Sequence, residues 1–385
     1  MELLRVPSAA EGPLSGLTFA VKDLIDIAGR RTGGGHPKWR DTHPPAHLHA
    51  LVVSTLLAAG AECVGVLVSD EMAASFSGEN PFFGNPINPA APGHTCGGSS
   101  SGSASAVAHG FCDFSLGTDT GGSVRVPASN CGIYGWRPTY GVLSLSGVNP
   151  LAPSYDTVGV LARDPRVLTV AGRVLLGDPT RAQPVRRVLR VSDTFDMVDD
   201  AVREGLAPAL ERVREKYPLE DISLRELTGL DFSMSTWEAV FGCLESEEIS
   251  VALGPWLLAE RPEFGPVVGR NLANLDGVPP PLLEQCWRLR RAFTRALHAK
   301  LSDGTLLCIP TVCAPPPRFG SFADEEFAHT YSVRLLSLCA IAGNAGIGQV
   351  TLPLGVADGL PVGLSLIAGP GRDTTLFDAA VTLQS

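Results

Sequence analysis

The stretch that most constrains this chain runs from Cys96 to Pro127. It opens Cys96-Gly97-Gly98-Ser99-Ser100-Ser101-Gly102-Ser103 and continues through small residues to Gly110. It closes with Gly117-Thr118-Asp119-Thr120-Gly121-Gly122-Ser123-Val124-Arg125-Val126-Pro127. Two loops rich in hydroxyls and bare backbone thus flank one short helical segment, and a fold that uses both must bring them to one place. Glycine permits positive φ and close backbone approach. The N–H groups of Thr120, Gly121, Gly122 and Ser123 have no bulky neighbours, and such a row can line an anion-binding concavity. A helix starting after Ser123 would add positive potential at the serine, as a developing oxyanion requires. Flexible linkers are the competing reading, but linkers lack apolar flanks such as residues 111–116 and 133–136.

Strand and helix signals alternate around these loops. Residues 17–22, LTFAVK, read as a buried strand that ends on Lys22. A lysine at a strand end is usually a solvated surface cation, so a chemical role requires the serine loops beside it. Residues 49–60 read as a helix with a Gly cap, 63–68 as a strand, 101–109 as a helix and 112–116 as a strand. Residues 123–131 read as a short helix behind Ser123, with Pro127 near its first turn. Residues 135–147 read as turns and 164–176 as an amphipathic helix. Beyond Gly177, helices are expected over 198–217, 237–258 and 281–301, and strands over 188–191, 306–309, 349–353 and 362–367. A last helix is expected over 377–383. Neither an internal repeat nor a linker is evident, so the 385 residues are expected to form a single domain.

The two loops, with their serines twenty-four residues apart, resemble the signature of the amidase signature family. Val21-Lys22-Asp23 is similar to the family's lysine motif, and Asp70-Glu71-Met72-Ala73, Asp156-Thr157-Val158-Gly159 and Gly343-Asn344 also have counterparts. Length and Pro262-Glu263-Phe264-Gly265-Pro266 are most like the short plant-type indole-3-acetamide amidohydrolases. The resemblance implies an α/β fold with a central mixed, twisted sheet covered by helices on both faces. It implies a serine–serine–lysine core over 17–160, a helical cover over about 195–301 and returning strands over 305–385.

It also implies roles: Ser123 the nucleophile, Ser99 a bridging hydroxyl after a cis peptide, Lys22 the base, and Thr120, Gly121, Gly122 and Ser123 the oxyanion donors. Gly98, Ser100, Asp119 and Arg125 would hold the loops in shape. The pocket expectation is Met72, Phe76, Phe82, Phe83 and Trp237; the three phenylalanines fit equally as core residues, and the helical spacing around Trp237 favours the core over a pocket wall. The implied reaction is hydrolysis of a small carboxamide, such as an arylacetamide, to a carboxylate and ammonia. A urea- or carbamate-type hydrolase and the glutamine amidase subunit of a tRNA amidotransferase use the same residues. A catalytically silent scaffold is disfavoured because Lys22, Ser99 and Ser123 are all present. Gly98-Ser99-Ser100-Ser101-Gly102 also fits a nucleophile elbow centred on Ser100, but no informative acid and histidine follow it.

Composition limits the partners. A net charge of −10 argues against nucleic acid and anionic membranes. No apolar run approaches a membrane span, and residues 1–11 do not read as a signal peptide. Nine scattered cysteines without a CxxC pair point away from zinc and towards free thiols in a reducing cytoplasm. No metal or organic cofactor is expected. The expected partners are a small amide and, at most, a second copy of the chain.

Overall fold

The computed structural model describes residues 1–177, 182–231, 233–273, 275 and 277–384. Within them, eleven strands form one mixed sheet: β1 (Glu2–Val6), β2 (Thr18–Lys22), β3 (Glu62–Leu67), β4 (Phe114–Asp119), β5 (Tyr134–Arg137), β6 (Thr157–Ala162), β7 (Arg187–Val191), β8 (Leu219–Ile222), β9 (Thr305–Pro310), β10 (Gln349–Ala357) and β11 (Leu360–Ile367). Their spatial order is β1-β3-β2-β4-β6-β5-β10-β11-β9-β7-β8. β3, β2 and β4 run parallel, as do β8, β7 and β9, while antiparallel pairs fill the middle.

The central strands are buried along their length. β4, β6 and β9 expose no residue, so their sequences lack the polar–apolar alternation of a half-buried strand. β2 pairs Val21 with Leu116 of β4, so the two strands end side by side, β2 on Lys22 and β4 on Thr118 and Asp119. Ligands bind beyond the carboxyl ends of parallel strands in α/β sheets, and both glycine–serine loops lie there. The helix Ser101–His109 follows the first loop and ends at Gly110 in the left-handed conformation. The helix Arg125–Asn130 follows the second.

Several elements differ from the sequence reading. Residues 135–147 read as turns, yet Tyr134–Arg137 is a buried strand. Its four residues hold one glycine and one arginine, too few apolar positions to mark it. Residues 198–217 form two helices, Asp200–Gly205 and Ala207–Lys216, because Pro208 cannot continue a helix and opens a new one instead. The stretch assigned to a helical cover also contributes the edge strand β8. The helix Glu325–Ala345 was not anticipated. It is buried without a break from Ser337 to Ala345, so it shows no amphipathic stripe. It packs against the helices Met234–Glu260 and Pro280–Lys300, and its Leu336 and Cys339, together with Phe241 of Met234–Glu260, lie against Gly121 and Gly122 of the second loop.

Candidate active site

Lys22 leaves β2 fully buried, and its Nζ donates to Ser99 Oγ at 2.7 Å and to Thr118 Oγ1 at 2.7 Å. Burial pushes the ammonium down to about 7, against the opposing pull of the Asp70, Asp119 and Asp156 carboxylates. A lysine poised near neutrality between two hydroxyls can exchange protons, which a surface lysine at its ordinary value of about 10.4 cannot do at neutral pH.

The first loop is clamped from the 70–78 segment. The Gly98–Ser99 peptide is cis. Asp70 N–H donates to the Ser99 carbonyl at 3.1 Å, and Gly98 N–H donates to the Phe76 carbonyl at 2.9 Å. The Asp70 carboxylate accepts from Ser75 Oγ, Ser77 Oγ, Ser101 Oγ and the Gly78 N–H. A β-carbon on Gly98 would collide with that carboxylate, so only glycine fits. Burial pushes the Asp70 carboxyl up to about 6, although those donors and the nearby lysine pull the other way.

The second loop is built on a buried charge cluster. Asp119 accepts from Arg125 through both carboxylate oxygens, at 2.8 and 3.0 Å, and from Arg137 at 2.7 Å. The same carboxylate accepts the N–H groups of Val124 and Arg125, which fixes the turn around Ser123. Burial favours the neutral acid, but the two guanidiniums prevail and hold the Asp119 carboxyl far below its usual range. Asp119→Asn keeps the shape but strands both guanidiniums. It is expected to cost about 3–5 kcal/mol in urea denaturation; a loss below about 1 kcal/mol would show that the cluster does not hold the loop.

The loops meet where Ser100 N–H donates to the Ser123 carbonyl at 3.2 Å. Among the described residues, the N–H groups of Gly121, Gly122 and Ser123 donate to nothing. Gly122 sits at φ +141°, and a β-carbon there would come within 2.8 Å of Cys339 Sγ, on the buried helix. Ser123 is nearly buried and borders a cavity of about 230 Å³, together with Thr120 and Gly121. Ser100, the elbow alternative, is fully buried, donates its hydroxyl to the Thr118 carbonyl and does not line this cavity.

Of the five residues expected in the pocket, Phe76 lines it and four do not. Met72 is buried with Leu24 and Trp39 in the apolar cluster behind Leu151, Ile249 and Leu272, without lining the cavity itself. Phe82 and Phe83 are more than two-fifths exposed, Phe82 standing edge-on to His36. Trp237 is buried against Phe293. The remaining wall is aliphatic and comes from distant segments, including Leu151, Ile249, Leu272 and Leu336. Apolar patterning cannot separate a residue that packs from one that lines a void, because both leave water.

Three residues not singled out in the sequence also shape the site. Thr118 is the second partner of Lys22 and sits inside the quoted motif. Arg137 closes the Asp119 cluster and was detectable as a cation within an otherwise uncharged strand. Glu245 enters the cavity from the helix Met234–Glu260.

Comparison with known proteins agrees with this geometry. The amidase family model matches residues 4–206 and 281–377. Amidase 1 of Oryza sativa subsp. japonica is 39% identical, over 99% of this chain and 93% of the rice protein. The translocon at the outer membrane of chloroplasts 64 of Pisum sativum is also 39% identical, over 98% of this chain and 67% of the pea protein. A solved amidase crystal structure superposes with a TM-score of 0.84 at 29% identity, covering 97% of this chain and 85% of the other. Fold, family match and full-length similarity converge: this chain belongs to the amidase family and is an amide hydrolase of the amidase-signature type.

Proposed function

We propose that the chain hydrolyses a small arylacetamide, with indole-3-acetamide the best single candidate, through an acyl-enzyme on Ser123. The observation that carries this reading is the 2.7 Å contact between a buried, near-neutral lysine and Ser99, beside the loop that bears Ser123 and three unengaged N–H groups. With Lys22 neutral, Ser99 turns its proton to Nζ and, once the Ser123 hydroxyl rotates onto it, accepts the proton of Ser123 Oγ. Oγ attacks the amide carbon, and the carbonyl oxygen gains negative charge facing the N–H groups of Gly121, Gly122 and Ser123. The proton held by Lys22 returns through Ser99 to the amide nitrogen as the C–N bond breaks, and ammonia leaves. Water then attacks the ester, gives its proton to the same relay and releases the carboxylate, with Ser123 restored.

The substrate class rests on the cavity and on the sequence resemblance to the short plant-type indole-3-acetamide amidohydrolases. An apolar chamber of about 230 Å³ suits one aromatic ring with a short carboxamide arm. Nine free thiols support a reducing compartment such as the cytoplasm. Among the described residues no helix is long and apolar enough to cross a membrane. The test is ammonia release by the purified chain alone from a panel holding indole-3-acetamide, phenylacetamide, short aliphatic amides and glutamine. The arylacetamides are expected to lead in kcat/KM. Glutamine turnover above theirs would favour the amidotransferase-type reading.

A further inference from the structure

The helix Met234–Glu260 carries an apolar ridge at steps of four: Trp237, Phe241, Ile249 and Leu253. These four are buried. Position 245 belongs to the same ridge and holds a glutamate. Among the described residues, it is the only ionisable one lining the cavity with Ser123. Among the described residues its carboxyl makes no hydrogen bond and no ion pair. Its neighbours by contrast are engaged: Asp156 accepts from Thr120 Oγ1 at 2.6 Å and from two N–H groups, and Glu248 accepts the Ser154 N–H at 2.7 Å.

The half-buried carboxyl stands in a wall that is mainly apolar, and a carboxyl so placed costs free energy unless a donor answers it. The charges that act on Glu245 are the carboxylates Asp156, Glu238 and Glu248, and no cation is among them. Burial, reinforced by these like charges, pushes the Glu245 carboxyl up to about 8. A donor arriving with the substrate would relieve this, whereas an anion arriving there would add to it. Residues 207–280, which include position 245, lie between the two stretches that match the family model.

We propose that Glu245 is the specificity-determining acceptor of this cavity, selecting amides with an N–H donor, neutral or ammonium, at the end remote from the scissile carboxamide and excluding those with a carboxylate there. The proposal rests on the reading that Ser123 marks the reacting end. It deepens that reading: the indole N–H of indole-3-acetamide is such a donor.

The test is titration calorimetry at about pH 8.5 on Ser123→Ala, which retains the ligand unreacted; there most of Glu245 is ionised while a benzylic ammonium keeps its charge. The probes are 4-(aminomethyl)phenylacetamide and 4-(carboxymethyl)phenylacetamide. The ammonium probe is expected to bind at least about tenfold more tightly, and the added substitution Glu245→Gln is expected to reduce that ratio at least about fivefold. Equal affinities, binding of neither probe, tighter binding of the carboxylate, or a ratio that Glu245→Gln leaves unchanged would each overturn the proposal. Should the double variant fail to fold, the preference of Ser123→Ala alone decides. Ammonia release by the wild-type chain tests the hydrolase reading separately, because the titration does not depend on turnover.

Discussion

Ser123→Ala is expected to lower amide turnover by about 10⁴-fold or more while leaving the fold intact. Removing a covalent nucleophile abolishes the acyl-enzyme route, and only binding and oxyanion stabilisation of direct water attack remain. The fold should tolerate the change. Ser123 Oγ makes no hydrogen bond to a described residue, and its backbone carbonyl keeps the bond from Ser100 whatever the side chain. The loop is held by Asp119, Arg125 and Arg137, none of which touches the deleted oxygen. Ammonia release and thermal unfolding measured on one preparation check both halves. Activity within tenfold of wild type would remove Ser123 from the centre of the mechanism.

Lys22→Met is expected to be the next most damaging change, by about 10³-fold for amides and distinctly less for esters of the same acid. An amide nitrogen must gain a proton to leave, whereas an alkoxide leaves more readily, so loss of the proton carrier weighs on the amide. Methionine fills much of the same volume without a charge. A buried amine is costly even when neutralised, so the midpoint of unfolding should stay level or rise. The wild-type amide rate should fall as pH drops through about 7, because protonation of Lys22 removes the base; above that value the amine is free. The variant's residual rate should lack this acid limb. An equal loss for amide and ester, or an acid limb that survives in the variant, would place the proton elsewhere.

Much of this site was legible from local pattern. The run LTFAVK announced a buried strand, and the strand Thr18–Lys22 delivers its last side chain to the loops. The small residues of the 101–109 stretch announced a closely packed helix, and Ser101–His109 follows the first loop. What stayed hidden was set by packing at long range. The helix Glu325–Ala345 carries no stripe because apolar neighbours surround its second half, yet it brings Leu336 to the cavity and Cys339 against Gly122. Aromatic residues near the motif suggested a pocket wall, but Phe82 and Phe83 turn outwards and the wall is mainly aliphatic. Glu245 did leave a trace, as a charge interrupting an apolar series at steps of four. Only the cavity shows that the interruption faces Ser123 rather than solvent.

The account depends on Ser123 being the atom that attacks, with its proton drawn off through Ser99 to Lys22. The most direct measurement is covalent labelling by a serine-directed fluorophosphonate, with the modified peptide sequenced by mass spectrometry. The predicted result is a single adduct on Ser123, forming more slowly in Lys22→Met. An adduct on Ser100, or none on Ser123 in a chain that still hydrolyses amides, would contradict the account.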